Sequence, residues 1–243
     1  MIKRRDFLKF AGAGSAGIGL PLFSGGPRQS SPKPEETTKS RIRSFRELGK
    51  TGLKLSDIGH GVINLNNPSV LRFSFDCGVN HFDTAEGYLN TRSEEYLGTA
   101  LKDIRKNVII TSKYLIRTPA DLNRDSLAKR LEASLKRLQT DYLDIALVHS
   151  VDQPEQLDND EIIAAYSRFK KEGKARHIGF STHAAPALLE KAIEAGIWEV
   201  ALLIYNHIEG PKIEPLIAKA KTKGIGLIAM KVFAGGLQGK LAA

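Results

Sequence analysis

Cysteine is almost absent from this chain. Cys77 stands alone among 243 residues, which excludes an intrachain disulfide and a cysteine-held metal or iron–sulfur centre. A single small thiol in such a chain reads as a packing residue. Long apolar runs are missing as well. Phe10 to Phe23 is the apolar stretch near the front, and it is too short and too rich in Gly to span a bilayer. No G-x-G-x-x-G follows any strand, which counts against a doubly wound dinucleotide-binding sheet. No interleaving of aromatic and basic residues offers a platform for stacked bases, so the formal charge of +9 does not point to nucleic acid. The excess sits at the front, where Lys3, Arg4, Arg5, Lys9, Arg28, Lys33, Lys39, Arg41 and Arg43 precede the first strand. Later Lys and Arg alternate with Glu on helix faces, the pattern of a solvated surface.

What the chain does have is a set of polar residues at the ends of apolar strands. In His81-Phe82-Asp83-Thr84-Ala85-Glu86-Gly87-Tyr88, Val79, His81 and Asp83 share one face of a period-2 pattern, and Gly87 then breaks it. Asn107 to Tyr114 is a β-branched run in which Ile109, Thr111 and Lys113 share parity. Asp141 to Ser150 repeats the arrangement with Leu143, Ile145, Leu147 and His149. One inward-facing row per strand would thus end in one polar group. Taken singly, Asp83 and Gly87 are ordinary turn residues. Together, Asp83, Tyr88, Lys113 and His149 form a coherent proton-transfer set. A Lys cation beside a phenol favours the phenolate, a carboxylate orients the Lys, and a His can hydrogen-bond a carbonyl.

FDTAEGY, VIITSKY, DIALVHS and ARHIGFSTH, in this order and at these intervals, resemble the aldo-keto reductases. The resemblance runs from about Phe45 to the C-terminus. It implies that Asp83, Tyr88, Lys113 and His149 are the catalytic tetrad of an NAD(P)H-dependent reductase acting on a small aldehyde or ketone. For the cofactor it implies Ser181 as a carboxamide contact, and Thr182 where an Asn is usual. Leu202 stands where many members have Gln, and Met230 where many have a ring-stacking Tyr. Lys231, Gly235 and Gly236 are placed to reach the pyrophosphate. NADP(H) is expected over NAD(H).

Residues 1–25 read as an export signal. Arg4-Arg5-Asp6-Phe7-Leu8-Lys9 and its weakly apolar sequel resemble the twin-arginine type, which implies the twin-arginine machinery as a partner and a periplasmic or otherwise exported product. Residues 26–43, rich in Pro, Ser, Lys and Glu, read as a disordered linker. Residues 44–243 read as the barrel. A hairpin around Gly49 and Gly52 opens it, followed by strands at Ile58–Leu65, Asn80–Asp83, Asn107–Lys113, Asp144–His149, His177–Ser181, Val200–Tyr205 and Ile225–Met230. Helices alternate with them at Ser93–Lys102, Arg124–Leu138, Asp160–Lys171, Ala187–Ala195 and Ile213–Lys221. Seven alternating units argue for a TIM-type (β/α)8 barrel, with the hairpin at its bottom. A barrel of this kind needs about 250 residues, and signal plus linker leave about 200. The expectation is a barrel lacking its eighth strand, with two exposed strand edges.

Three other readings compete. His149, His183, His207 and Asp83 at strand ends suggest a metal-dependent barrel hydrolase, but the first strand offers only His60-Gly61-Val62 and no last-strand Asp exists. Lys113 could form a Schiff base, which Asp83 and Tyr88 disfavour. An incomplete barrel could also bind nicotinamide weakly and turn nothing over.

Overall fold

A computed structural model describes residues 41–118 and 121–233. An antiparallel hairpin pairs β1 (Phe45–Glu47) with β2 (Lys54–Ser56). Seven parallel strands follow in sequence order in one sheet: β3 (His60–Gly61), β4 (His81–Asp83), β5 (Ile109–Leu115), β6 (Leu143–Val151), β7 (Ala175–Thr182), β8 (Val200–Ile204) and β9 (Gly226–Met230). Between them run α1 (Ser69–Asp76), α2 (Arg92–Leu101), α3 (Arg124–Leu138), α4 (Asp160–Lys171), α5 (Ala185–Ala195) and α6 (Gly210–Lys223). This is the TIM-like α/β architecture expected, and among the described residues the sheet has seven parallel strands.

The period-2 pattern divides each strand between two environments. Phe82, Ile110, Tyr114, Ala146, Val148 and Phe180 join the large apolar core beneath the helices. Ile109, Ile145, Leu147, Val200 and Leu202 form a smaller inner cluster with Leu48 and Leu55 of the hairpin. Val79 and Leu143 belong to the larger core instead, although they share parity with the inner row. The hairpin ties the second strand of the sheet to the last. Ser56 N–H donates to Asn80 Oδ1 at 2.7 Å, and Lys50 N–H donates to the Gly224 carbonyl at 2.9 Å. A Cβ on Gly49, whose φ is +54°, would come 2.4 Å from that same carbonyl. One short element reaching the starts of β4 and β9 requires a curled sheet.

Helix ends follow local chemistry. Asn123 and Asn159 each accept two backbone N–H bonds in the first turns of α3 and α4, so those helices occupy the expected residues. Other boundaries differ. The first parallel strand is only His60–Gly61 because Leu65 turns back onto the Val62 carbonyl and Pro68 opens α1. Helix α1 is not among the expected elements: Leu71, Phe73 and Phe75 recur at period two, which obscures the helical spacing of this short segment. Strand β5 runs two residues beyond Lys113 because it pairs with β6 as far as Leu115 and His149, and β6 runs two beyond His149 because Val151 pairs with Thr182 of β7.

Candidate active site

Lys113 is placed by β5 at the inner face of the sheet, with 2% of its surface exposed. An ammonium so deeply buried must find acceptors for its protons. It donates to Asp83 Oδ1 on β4 at 2.6 Å, to the Thr84 carbonyl, and at 3.5 Å to the Tyr88 hydroxyl. The ammonium cannot accept, so the phenol oxygen must, and its own O–H is left for another partner. The Lys113 nitrogen also lies 4.8 Å from the Tyr88 ring centroid. Among the described residues, Asp83 Oδ2 is buried without a hydrogen-bond partner.

His149 lies edge-on to Tyr88, with ring centroids 5.6 Å apart at 75°. Burial, then the charge of Lys113, with smaller contributions from His183 and Arg117, push its pKa down to about 4. It is therefore neutral at physiological pH and can donate one N–H without carrying the reacting proton. A break in register between Val148 and Val151 follows at Ser150, whose φ is +52°. Such a bulge re-aims side chains at a strand end. It turns the Ser150 N–H onto Ser181 Oγ at 2.9 Å, and nothing in the sequence signalled it.

The four groups open onto a cavity of about 930 Å³ that runs down towards the hairpin and is also lined by Ser181, His183, Leu202, Met230 and Lys231. Among the described residues the Ser181 hydroxyl proton has no acceptor, and the apolar Leu202 and Met230 line the same cavity. Lys231 sits just past β9 with φ +52°. Thr182 departs from the sequence reading. It is fully buried, does not line this cavity, donates to the Val151 carbonyl at 2.7 Å and accepts from the Ala184 N–H at 2.9 Å. The period-2 alternation turns it away from the cavity, and its hydroxyl is spent within the fold. Gly235 and Gly236 lie outside the described residues. His207 stands away from the cavity, and among the described residues no three His, Cys, Asp or Glu converge on a metal-sized site.

Two buried clusters support these strands, and sequence reasoning missed both. Glu94 of α2, with no exposed surface, accepts from Ser112 Oγ at 2.6 Å and from Arg137 Nε at 2.7 Å. This pairing needs α3 very close. A Cβ on Gly98 would lie 2.4 Å from the Arg137 carbonyl. Inside the sheet, His81 Nε2 meets Thr111 Oγ1 at 3.0 Å, and burial lowers the His81 pKa.

Residues 66–241 match the aldo/keto reductase family model. The chain belongs to the aldo/keto reductase family. It is 32% identical over 217 residues to L-galactose dehydrogenase of Arabidopsis thaliana, covering 79% of this chain and 66% of the relative. It is 30% identical over 226 residues to a probable voltage-gated potassium channel subunit beta of Oryza sativa subsp. japonica, covering 82% and 66%. It thus spans slightly less than two thirds of the length of these two relatives. Among solved structures, an aldo-keto reductase from Klebsiella pneumoniae in complex with NADPH superposes with a TM-score of 0.65 at 27% identity, covering 82% of this chain and 72% of that one. For an aldo/keto reductase chain, the polar groups at the ends of β4, β5 and β6 are the natural place to look for chemistry.

Proposed function

We propose that this chain is an NAD(P)H-dependent oxidoreductase that reduces the carbonyl of a small aldehyde or ketone to an alcohol, with Tyr88 as proton donor. One observation carries the reading: a buried ammonium shared between Asp83, the Thr84 carbonyl and a phenol at the mouth of a large cavity. The cavity suits a nicotinamide. Leu202 and Met230 offer an apolar surface, Ser181 a free hydroxyl proton for a carboxamide, and Lys231 a cation for phosphate. The NADPH-bound relative supports NADPH as the first cofactor to test.

A reduced nicotinamide, when bound, supplies the hydride. Tyr88 gives its proton to the carbonyl oxygen as the carbon accepts that hydride. Lys113 lies against the phenol oxygen and stabilises the phenolate left behind, and Asp83 holds Lys113 in place. His149, neutral, donates its N–H to the same carbonyl oxygen and orients it. Following NADPH oxidation with a set of aldehydes tests this. Tyr88→Phe should lower kcat by about a hundredfold or more while NADPH fluorescence on binding is retained. Unchanged turnover would remove Tyr88 from the mechanism.

A second reading, cofactor binding without turnover, is in keeping with a relative named as a channel subunit and not as an enzyme. NADPH binding by the unaltered chain with no oxidation on any carbonyl would favour it. We also propose export by the twin-arginine route, supported by Arg4-Arg5 and the apolar sequel. Replacing both Arg by Lys should hold a reporter fusion in the cytoplasm, and continued export would contradict this.

A further inference from the structure

A second chamber of about 470 Å³ reaches the same phenol, with Tyr88 and His149 in its wall. Glu86, Thr91, Arg117, Asp121 and Arg130 make up most of the remainder. Two guanidinium groups thus face two carboxylates, and the chamber has no net charge.

The hydrogen-bond accounting is uneven. Glu86 uses Oε2 to accept from Arg130 Nε at 2.9 Å and Nη2 at 2.7 Å. Asp121 uses Oδ2 to accept from the Arg117 N–H, the Thr118 N–H and the Thr118 hydroxyl. Among the described residues, Glu86 Oε1 has no hydrogen-bond donor, and Asp121 Oδ1 has only Arg130 Nη1 at 3.6 Å. Arg117 is exposed and its side chain joins no ion pair among the described residues. The wall therefore offers spare acceptors and a spare charged donor at once. The loop that forms it is conformationally unusual. Leu89, Asn90 and Thr91 have φ of 53°, 53° and 72°, three successive left-handed residues, none of them Gly. L-residues adopt that region singly and at a cost, and such strain persists where the surroundings fix it. Here the run brings Thr91 into the chamber wall directly after Tyr88.

An anionic arm entering this chamber would meet two carboxylates. An apolar arm would strip water from four charged groups without replacing their bonds. A hydroxylated arm can donate to Glu86 Oε1 and Asp121 Oδ1 and accept from Arg117, all charge-assisted bonds. We propose that this chamber is the substrate side of the site and selects small polyhydroxylated carbonyl compounds, their hydroxyls bridging Glu86, Asp121 and Arg117. The inference rests on the reading of Tyr88 as proton donor, and its division of labour leaves the larger cavity to the cofactor.

The test compares erythrose, butyraldehyde and succinic semialdehyde, four-carbon aldehydes that differ in the arm, using the full chain with NADPH. Erythrose should lead in kcat/KM by about tenfold or more. Arg117→Ala keeps the backbone N–H bonded to Asp121, so the loop should stand. It should lower kcat/KM for erythrose by about tenfold, mainly through KM, and that for butyraldehyde by less than about twofold. A lead for butyraldehyde or succinic semialdehyde, or equal losses on all three, overturns the chamber assignment while leaving carbonyl reduction in place. Erythritol binding, read by saturation-transfer NMR, gives a measure independent of turnover. Binding retained in Tyr88→Phe and lost in Arg117→Ala supports the chamber even if no aldehyde is reduced, in which case only the role of Tyr88 falls. No erythritol binding to a chain that does reduce aldehydes overturns the inference.

Discussion

Buried carboxylates on the two faces of this sheet are treated differently. On the helix side, Glu94 spends one oxygen on Ser112 and the other on Arg137. Asp144 is likewise complete: Oδ2 takes the Ile110 N–H at 2.9 Å and Arg105 at 2.8 Å, and Oδ1 takes Arg176 at 2.9 Å. The two guanidiniums then enclose the Tyr142 ring at 4.1 and 4.0 Å. On the inner face, Asp83 keeps one oxygen without a partner, and Lys113 shares its protons with a phenol at a long 3.5 Å. Closed networks hold elements together because every carboxylate oxygen has a donor. The open one leaves a proton on Tyr88 free to move, which a closed network would forbid.

The largest effect should come from breaking a closed network. Glu94→Ala leaves Arg137 and Ser112 unpaired between α2, α3 and β5, and chemical denaturation should show a loss of about 3–5 kcal/mol. A loss as small as that of a surface residue would erase the distinction drawn here. The open pair should behave in the opposite way. Replacing both members, Asp83→Asn with Lys113→Met, removes the buried charge together, so stability should hold or rise by about 1–2 kcal/mol while NADPH oxidation stops. Strong destabilisation would make Asp83–Lys113 a structural pair like the others.

Acid should act on the open side first. His149 titrates near 4 in the folded chain against about 6.5 unfolded, so between these values the unfolded state holds the extra proton. This contribution to stability is present above about pH 6.5 and is lost as pH falls towards 4. His149→Gln should flatten that limb of the stability–pH curve, and an unaltered slope would assign it elsewhere. The smallest effect is expected at the surface. Arg124→Ala breaks the exposed pair with Glu161, and Tm should not move measurably, because solvent and salt screen such pairs.

Period-2 parity alone placed Asp83, Lys113 and His149 on a common face, and the helical spacing of Leu127, Leu131, Leu135 and Leu138 located α3. These are local signals, since each depends on residues within a turn or a strand of one another. Family resemblance carried Ser181 and Lys231 to the cavity wall, but it carried Thr182 too, which the strand alternation turns away. The Glu94 and Asp144 networks were not legible. Nor were the bulge at Ser150 or the chamber walled by Glu86, Thr91, Arg117, Asp121 and Arg130. Each depends on groups far apart in sequence meeting within a few ångströms. Local pattern determines which way a side chain points. Only the packed backbone decides what it meets there, because closeness such as that at Gly98 or Gly49 is set by elements on both sides of the contact.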